Sequence, residues 1–324
     1  MALFFRKRKQ AMDEDELWKD HSNVSRETSP QPRRAMGHGD VENEYGDEII
    51  EFSEPMPTLP RPAKPRVFVV ANQKGGVGKT TTTVNLAMAL AQGGLNVLVI
   101  DIDPQGNAST ALGVEHAPGT KGTYEVLTEQ IGIIEHAKTS PHSPNLHVLP
   151  AAIDLAMAEL ELVNERGREM RMRDAIEQYI EESGVDYIFF DCPPSLGLLT
   201  LNALVASTEI LVPIQTESYA LEGVSHLMRT INKVKGNLND DLSLSTILLT
   251  MFDPRTNLSR EVADEVRRHF PEQTLDVEIP RSVKIAEAPG FGQTIITYQP
   301  KNVGAIAYQE AAEQIAKRAE RADG

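Results

Sequence analysis

The sequence predicts an α/β fold in which a mostly parallel, twisted sheet carries helices on both faces. From Arg66 onward, short apolar runs alternate with helical patterns, starting with "RVFVVA", "TTTTVNLAMALAQGG" and "NVLVIDID". The apolar runs are nearly continuous, which is typical of parallel strands that are covered on both faces. A glycine-rich turn joins the first strand to the first helix. These observations favour an open α/β sheet with a ligand site beyond the carboxyl ends of its strands.

The same alternation continues through the rest of the chain. Further strands are expected at "LHVLPA", "VDYIFFD", "EILVPI" and "LSTILLTM". Further helices are expected over residues 154–163, 170–182, 221–235 and 258–270. A last helix, over residues 303–319, carries apolar positions that we expect to pack on the sheet and not in a membrane.

Residues 1–64 differ in composition from the rest of the chain. A basic start (Arg6 to Lys9) and an acidic run (Asp13 to Glu16) lead, through polar sequence, to the proline-rich "PMPTLPRPAKP". Burial of so few apolar residues cannot offset the entropy that is lost when a chain becomes ordered. We therefore predict that residues 1–64 are a disordered extension that ends in a stiff linker. One domain is expected to follow, over residues 65–324. The start "MALFFRKRK" leaves a weak membrane or polyanion contact open, beside the simpler interpretation of a short tail.

Bulk composition narrows the class of protein. The 324 residues are 40% apolar, which is enough for a buried core, and the formal net charge is −15. Such a charge argues against a surface coated with nucleic acid, although it permits a local basic patch. The single cysteine, Cys192, excludes a disulfide framework within the chain and is expected to be a packing residue. Without a signal peptide or a long apolar stretch, the expected location is the cytoplasm.

The turn after the first strand has the composition of a phosphate-binding loop. Gly75, Gly76 and Gly78 let backbone N–H groups curl around phosphate oxygens at the start of a helix. Lys79 then supplies a charge to the β- and γ-phosphates, and the hydroxyl of Thr80 is placed to ligate Mg²⁺. The sequence therefore predicts a P-loop nucleoside triphosphatase that uses Mg²⁺.

This loop has an additional lysine. Gln73 stands where the common loop has its first glycine, and Lys74 follows it. The form K-G-G-x-G-K-T resembles the deviant P-loop of the family that contains the partition ATPases ParA and Soj, the division-site regulator MinD and nitrogenase iron protein. The resemblance implies that Lys74 reaches across an ATP-dependent homodimer to the partner's nucleotide, as an arginine finger does. A solvated loop lysine is the alternative. The implied nucleotide-binding residues are Lys74, Gly75, Gly76, Val77, Gly78, Lys79, Thr80 and Thr81.

Acidic residues follow two of the predicted strands. Asp101 and Asp103 point to the same side of the sheet if the strand runs through both. By resemblance, Asp103 is a catalytic residue that orients the attacking water, and Asp101 lies near the outer shell of the metal. Asp103 could instead only cap a turn before Pro104. Asp191 ends a hydrophobic strand, where an acid commonly holds Mg²⁺ through water. The predicted metal site is therefore Thr80, Asp101 and Asp191.

Longer motifs extend the resemblance over most of the chain. The segments "DPQGNAST", "DCPPSLGLLTLNAL", "ESYALEGVSHL", "LLTMFDPRTNLSREV" and "IPRSVKIAEAPGFGQTI" are similar to those of chromosomal partition ATPases. The resemblance implies a nucleoid-associated dimer that binds DNA without sequence preference through Arg255, Arg281 and Lys284. It also implies slow ATP hydrolysis that a ParB-like, centromere-binding partner stimulates. Without the resemblance these three residues would be ordinary surface charges.

A second function stays open at this point. A MinD-like ATPase acts at the membrane or cell pole, and here the N-terminal extension would be the adaptor. The C-terminal "QIAKRAERADG" lacks the bulky apolar face that a membrane-binding helix needs. A single cysteine also argues against the shared metal cluster of nitrogenase iron protein. The cargo, whether a chromosome, a plasmid or a protein cluster, is left open.

Overall fold

The computed structural model describes residues 56–218 and 220–322, all within the compact unit Ile49–Gly324. This part of the chain forms an eight-stranded sheet with the order β3-β4-β2-β5-β1-β6-β7-β8. The strands are β1 (Arg66–Val70), β2 (Val97–Asp101), β3 (Lys138–Thr139), β4 (Leu146–Leu149), β5 (Tyr187–Asp191), β6 (Glu209–Gln215), β7 (Ser243–Phe252) and β8 (Thr274–Pro280). All neighbouring strands are parallel except β3 and β4. The predicted fold class is confirmed.

Helices cover both faces of this sheet. They are α1 (Lys79–Gln92), α2 (Asn107–Ala111), α3 (Thr123–Thr128), α4 (Leu155–Glu161), α5 (Arg171–Ser183), α6 (Leu198–Ala206), α7 (Ala220–Lys235), α8 (Asn257–His269), α9 (Val283–Glu287), α10 (Ile295–Tyr298) and α11 (Val303–Ala322). Two 3₁₀ turns occupy Leu162–Asn164 and Ala288–Phe291. Each helix expected from the sequence is present to within a few residues. Among the described helices, none has the length and apolarity to cross a membrane.

The two faces have separate hydrophobic cores. On one face, α1 is buried on nearly all sides because it lies between the sheet and α11. Buried residues of α5, α6, α7 and α8 form the core of the other face. The predicted packing of the last helix is observed, since Ala311, Ile315 and Ala316 are fully buried with residues of α1. The central strands, whose ends carry the candidate site, are thus covered by helices on both faces.

Aromatic rings stack across the central strands. Phe68 on β1 lies opposite Phe189 on β5, and their ring centroids are 5.2 Å apart. Tyr187 completes a three-ring stack, at 6.3 Å from Phe189 and 6.4 Å from Phe68. Beside these rings, the guanidinium group of Arg66 lies 4.7 Å from the centroid of Phe68 and donates to Glu209 at 2.6 Å. The stack fixes the register between β1 and β5, whose carboxyl ends carry the phosphate loop and Asp191.

Strand β8 was not expected from the sequence. It has β7 as its only neighbour in the described sheet, and its residues alternate in burial. Leu275 and Ile279 are buried against α11, whereas Asp276 between them is exposed. The charges at Asp276 and Glu278 interrupt the continuous apolar pattern that identified the other parallel strands. An edge strand covered on one face therefore escapes that criterion.

The end of the predicted linker lies against the domain. Leu59 is buried, and its N–H donates to the carbonyl of Gly93 at 2.9 Å. Nη1 of Arg61 donates to Oδ2 of Asp186 at 2.7 Å. Residues 1–55 of the predicted extension are outside the described residues, and the domain start at residue 65 stays a prediction.

We predict that Phe189→Ala lowers the free energy of unfolding by about 3–5 kcal/mol, because it removes one of three fully buried rings that pack on one another. Urea denaturation followed by circular dichroism measures the change. Leu160→Ala is the matched control, since Leu160 is 66% exposed on α4 and its removal should change the free energy by less than about 0.5 kcal/mol. Equal effects of the two variants would contradict this account of the core.

Candidate nucleotide site

The phosphate-binding loop predicted from the sequence joins β1 to α1. Gly76 and Gly78 have φ values of 75° and 88°, in the region that favours glycine over residues with a side chain. The hydroxyl of Thr250 on β7 donates to the carbonyl of Val77 at 2.9 Å and anchors the loop from a third strand. Lys79, the first residue of α1, is 8% exposed. The loop N–H groups and the start of α1 thus form a concave anion site.

Threonine and aspartate meet behind this loop. The hydroxyl of Thr80 donates to Oδ2 of Asp191 at 2.7 Å, and Thr83 approaches Oδ1 at 3.4 Å. Asp191 is fully buried at the end of β5. The structure therefore brings together two of the three residues predicted to hold Mg²⁺, and both offer the oxygen ligands that this ion prefers.

The third predicted metal residue, Asp101, is the register partner of Asp191 on the adjacent strand. Its Oδ2 accepts from the backbone N (2.8 Å) and hydroxyl (2.7 Å) of Ser109, and its Oδ1 accepts from the backbone N of Asp103 (3.2 Å). Asp101 therefore fixes the segment that contains Asp103. Sequence analysis did not single out Ser109, although it lies in the quoted "DPQGNAST".

Asp103 does not share a strand with Asp101, because β2 ends at Asp101. The condition for both carboxylates to point to one side of the sheet is therefore not met. Oδ1 of Asp103 accepts from the backbone N of Gln105 at 3.0 Å, so the residue stabilises the turn that the sequence left open as an alternative. Asp103 also lines the cavity at the phosphate loop. The turn and a role toward the ligand are thus compatible.

Two cavities meet at the loop. The first has a volume of about 290 Å³ and is lined by Gly75, Gly76, Gly78, Lys79, Thr80, Thr81, Asp103, Cys192, Pro194 and Met251. The second, of about 380 Å³, shares Gly78, Thr81 and Met251 with the first and continues between β7, β8 and α9. Ile279, Pro280 and Val283 make its wall apolar. An anion-binding pocket next to an apolar slot suits a molecule with phosphates and a flat ring.

The charges in the site are strongly perturbed. Burial raises the pKa of Asp101 to about 7. Burial, and then the adjacent charge of Asp101, raises the pKa of Asp191 well above its usual value. Burial also lowers the pKa of Lys79, against the opposing effect of Asp191. A bound cation would relieve the repulsion between the two carboxyl groups, so the donor set fits Mg²⁺.

Protein groups alone do not enclose a metal here. In the described ranges, no three His, Cys, Asp or Glu side chains are grouped so that they could hold an ion. Mg²⁺ commonly takes only one or two protein ligands and completes its shell with water and phosphate oxygens. Thr80 and Asp191 match that smaller set. Cys192 is 2% exposed beside them, and burial raises the pKa of its thiol, in keeping with a packing residue.

Lys74 lies away from this cavity. Its Nζ forms an ion pair with Oε1 of Glu217, just beyond the end of β6, and its side chain is 48% exposed. Its backbone N donates to Oδ1 of Asn72 at 3.0 Å, and Asn72 in turn donates to the carbonyl of Pro213 on β6 at 2.9 Å. Sequence analysis missed Asn72 and Glu217, because nothing in the local pattern links them to Lys74. The lysine is thus held toward β6 rather than over the phosphate loop of its own chain.

Two of the predicted DNA-binding residues follow neighbouring strands. Arg255 follows β7 and is 87% exposed, and Arg281 follows β8 and is also exposed. The strands are in register at Phe252 and Pro280, and the backbone N of Arg281 donates to the carbonyl of Phe252 at 3.2 Å. The structure therefore brings both arginines to the edge that carries the phosphate loop.

Lys284 lies on α9 and forms an ion pair with Glu287 at 2.9 Å. Arg255 likewise forms an ion pair with Asp253 at 2.9 Å. Two of the three predicted cations are therefore accompanied by a carboxylate within their own element or turn.

We predict that the protein without nucleotide becomes less stable as the pH rises from about 4 to about 7. Because the pKa of Asp101 is about 7 and that of Asp191 is also raised, the folded state binds more protons than the unfolded state in this interval. The stabilisation that comes from these bound protons is therefore fully present below the pKa of the carboxyl groups in the unfolded state. It is lost as the pH rises through their pKa in the folded state. The loss is on the order of 3 kcal/mol.

Asp191→Asn should make this dependence shallower, because only Asp101 of the pair is left to titrate, while the amide keeps a partner for the hydroxyl of Thr80. Asp264→Asn, at an exposed position on α8, should leave the wild-type slope unchanged. Urea unfolding between pH 4.5 and pH 8 without Mg²⁺ gives both slopes. A wild-type curve that is flat or rises over this range would contradict the prediction.

Comparison with known proteins agrees with this geometry. Residues 65–244 match a family model described as an AAA domain. The sporulation initiation inhibitor protein Soj of Bacillus subtilis is 47% identical over 251 residues, which is 78% of this chain and 98% of that protein. The chromosome partitioning protein ParA of Myxococcus xanthus is 47% identical over 253 residues, covering 78% of this chain and 88% of that protein.

Solved structures show the same fold. A Mycobacterium smegmatis structure, described as cobyrinic acid a,c-diamide synthase with ADP and magnesium, is 36% identical with a TM-score of 0.68 and covers 80% of this chain and 96% of that one. The cell division ATPase MinD of Pyrococcus furiosus is 26% identical with a TM-score of 0.64 and covers 78% and 99%. The resemblance noted in the sequence is confirmed: the chain belongs to the ParA/Soj family of chromosome partitioning proteins.

Proposed function

We propose that this chain is an ATPase that dimerises on binding ATP, binds DNA without sequence preference in that state and moves DNA together with a ParB-like partner. The observation that carries the proposal is the meeting of a phosphate loop, a buried carboxylate pair and two exposed arginines at one edge of the sheet. Because the strands are parallel, their carboxyl ends share that edge. Nucleotide and DNA would thus bind to neighbouring loops.

ATP and Mg²⁺ fit the two adjoining cavities. The N–H groups of the loop and Lys79 would bind the phosphates, and the apolar slot at Ile279 and Val283 would take the base. Thr80 and Asp191 would hold Mg²⁺, which supplies charge neutralisation at the β- and γ-phosphates. The relative from Mycobacterium smegmatis carries ADP and magnesium, in support of this assignment.

Asp103 would orient the attacking water. It lines the phosphate cavity while its backbone N is held by Asp101, which Ser109 fixes in turn. The carboxylate of Asp103 would accept a hydrogen bond from the attacking water. Turnover would be slow until a partner orders this segment and the loop around Pro194.

Lys74 would act across the dimer. In the single chain its ammonium group is paired with Glu217 and does not line the phosphate cavity. A cation that is poorly placed for its own nucleotide is available for that of a second subunit. This arrangement supports ATP-dependent dimerisation, with Lys74 as the residue that senses the partner's nucleotide.

DNA binding rests on the arginine patch, which we define as Arg255 and Arg281. Lys284 is a neighbouring contributor on α9. Phosphate contacts need only cations along a track, and a dimer doubles each of them, so a chain of net charge −15 can bind DNA through one patch. The protein would act in the cytoplasm on the nucleoid. The alternative is a MinD-like function at the membrane or pole. The structural similarity to MinD of Pyrococcus furiosus supports this alternative.

The first test is binding to a labelled random-sequence duplex over a series of salt concentrations, with ATP, ADP or no nucleotide. We expect the wild type to bind tightly only with ATP and the affinity to fall with salt. Lys74→Ala should lose the ATP dependence. Arg281→Glu should weaken binding and lower the salt slope by about 0.9 for each DNA phosphate that the variant no longer neutralises. Arg268→Glu makes the same charge change at the far end of α8, so it serves as the control.

No DNA binding by the wild type in any nucleotide state would reject the DNA function and leave the ATPase standing. Anionic lipid vesicles are then the next ligand, because binding to them with ATP is what the MinD-like alternative requires. Equal losses in Arg281→Glu and Arg268→Glu would show that net charge, and not the arginine patch, determines DNA binding.

We predict that Asp103→Asn slows ATP hydrolysis by about a hundredfold or more and leaves ATP affinity within a few-fold of wild type. Asparagine retains the side-chain oxygen that accepts from Gln105, so the turn is preserved while the carboxylate is removed. Phosphate release under single-turnover conditions and binding of a fluorescent ATP analogue measure the two quantities. If Asp103→Asn hydrolyses ATP normally while Asp103→Ala does not, the residue acts only through the turn.

A further inference from the structure

A continuous set of polar contacts leads from Lys74 to the arginine patch. The first contact is the ion pair of Lys74 with Glu217. Glu217 directly follows Thr216, whose hydroxyl lies 2.6 Å from that of Ser259 on α8. Both hydroxyl-bearing residues are buried, at 7% and 3% exposure. A short hydrogen bond between buried hydroxyls holds the end of β6 against the start of α8.

The contacts continue into the turn that carries Arg255. Oγ of Ser259 accepts from the backbone N of Asp253 at 3.1 Å. A consistent set of donors exists, since the hydroxyl of Thr216 is also 3.4 Å from the carbonyl of Met251. Ser259 then donates to Thr216 while it accepts from Asp253. The segment after β7 is therefore positioned by the end of β6.

Asp253 in turn holds Arg255 with both carboxylate oxygens. Nε of Arg255 donates to Oδ1 at 2.9 Å and Nη2 donates to Oδ2 at 3.0 Å. The backbone N of Arg255 also donates to Oδ1, at 3.0 Å. A paired fork of this kind occupies the donors that a DNA phosphate would use. In this conformation Arg255 is exposed, but its charge is largely balanced by its neighbour.

Asp253 remains charged at physiological pH. The hydrogen bonds from Arg255, and further the charge of Arg281, lower the pKa of Asp253 to about 2. The carboxylate is only 24% exposed, although its partner is almost free in solvent. Asp253 is thus an anion at neutral pH that contacts Arg255 and is influenced by the charge of Arg281.

We propose that Asp253 competes with DNA phosphate for Arg255, and that the Thr216–Ser259 hydrogen bond couples this competition to the position of Lys74. This inference deepens the DNA-binding function proposed above and rests on it. While Lys74 is paired with Glu217, the end of β6 and the turn at Asp253 keep the geometry described, and Arg255 stays paired. When Lys74 leaves for the partner's nucleotide, Glu217 loses its counter-ion and the end of β6 is released.

The proposed competition has two states, which differ in the partner of Arg255. In one state Arg255 is bound by Asp253, and in the other by a phosphate. An ion pair this exposed is weak, so a small displacement of Asp253 is sufficient to change the preference.

The competition is tested with Asp253→Asn. Asparagine keeps a side-chain oxygen for the turn and removes the charge. Without nucleotide, this variant should bind a random-sequence duplex about two- to fivefold more tightly than the wild type for each arginine released. Its salt slope should be steeper by about 0.9 per arginine. Asp264→Asn, exposed on α8 and identical in charge change, is the control. Equal affinities and slopes of the two variants would overturn the competition.

The coupling is tested at Thr216 with a pair of substitutions. The quantity measured is the ratio of DNA affinities with a non-hydrolysable ATP analogue and without nucleotide. Thr216→Val keeps the shape and removes the hydroxyl, so the ratio should fall at least threefold, whereas Thr216→Ser keeps the hydroxyl and should retain the wild-type ratio. An unchanged ratio in Thr216→Val would overturn the coupling. If the wild type itself fails to bind DNA with the analogue, the proposed function fails, which is a different result from an unchanged ratio in a protein that binds.

Discussion

Two carboxylates that are buried side by side, Asp101 and Asp191, constrain the rest of the site. They are register partners on β2 and β5, and both are fully buried. A charge in a low-dielectric position is unfavourable: burial raises the pKa of both carboxyl groups, and the charge of Asp101 raises that of Asp191 further. Hydrogen bonds from Thr80 and Ser109 reduce it without removing it. The site is therefore stabilised by positive charge. Lys79 compensates the two carboxylates in part, and a magnesium nucleotide would complete the compensation.

The same constraint organises the loops around the pair. Asp101 accepts from the backbone N of Asp103, so the segment that would orient water is fixed by a residue whose own charge depends on the occupancy of the site. Asp191 accepts from the first turn of α1, so the phosphate loop is tied to β5 as well as to β1. A ligand that changes the charge state of this pair would therefore act on both segments. In the proposed function, nucleotide sensing would therefore begin with the electrostatics of this buried pair.

Sequence reasoning correctly located the structural features that contiguous residues encode. The loop from Gly75 to Thr80, the acid at the end of β5 and the parallel sheet all follow from local pattern and strand-end rules. It failed where the contact is between distant parts of the chain. The pairing of Lys74 with Glu217 and the apolar slot between β7 and β8 depend on strand order, which no local pattern contains. The unexpected strand β8 has the same origin, because its pattern reflects an edge position.

The net charge of −15 affects how Asp253 would influence DNA binding. Long-range repulsion would oppose the approach of DNA, so the proposed DNA binding would have to come from a few local cations that are not paired with carboxylates at that moment. With Arg255 paired to Asp253, a single chain presents a weakened patch, and random encounters with DNA would be short. Coupling between sites is reciprocal: if the nucleotide-bound dimer binds DNA more tightly by some factor, DNA binding must favour that dimer by the same factor. A masked arginine would then confine the ATP-bound dimer to the nucleoid and leave the monomer free to diffuse between DNA segments.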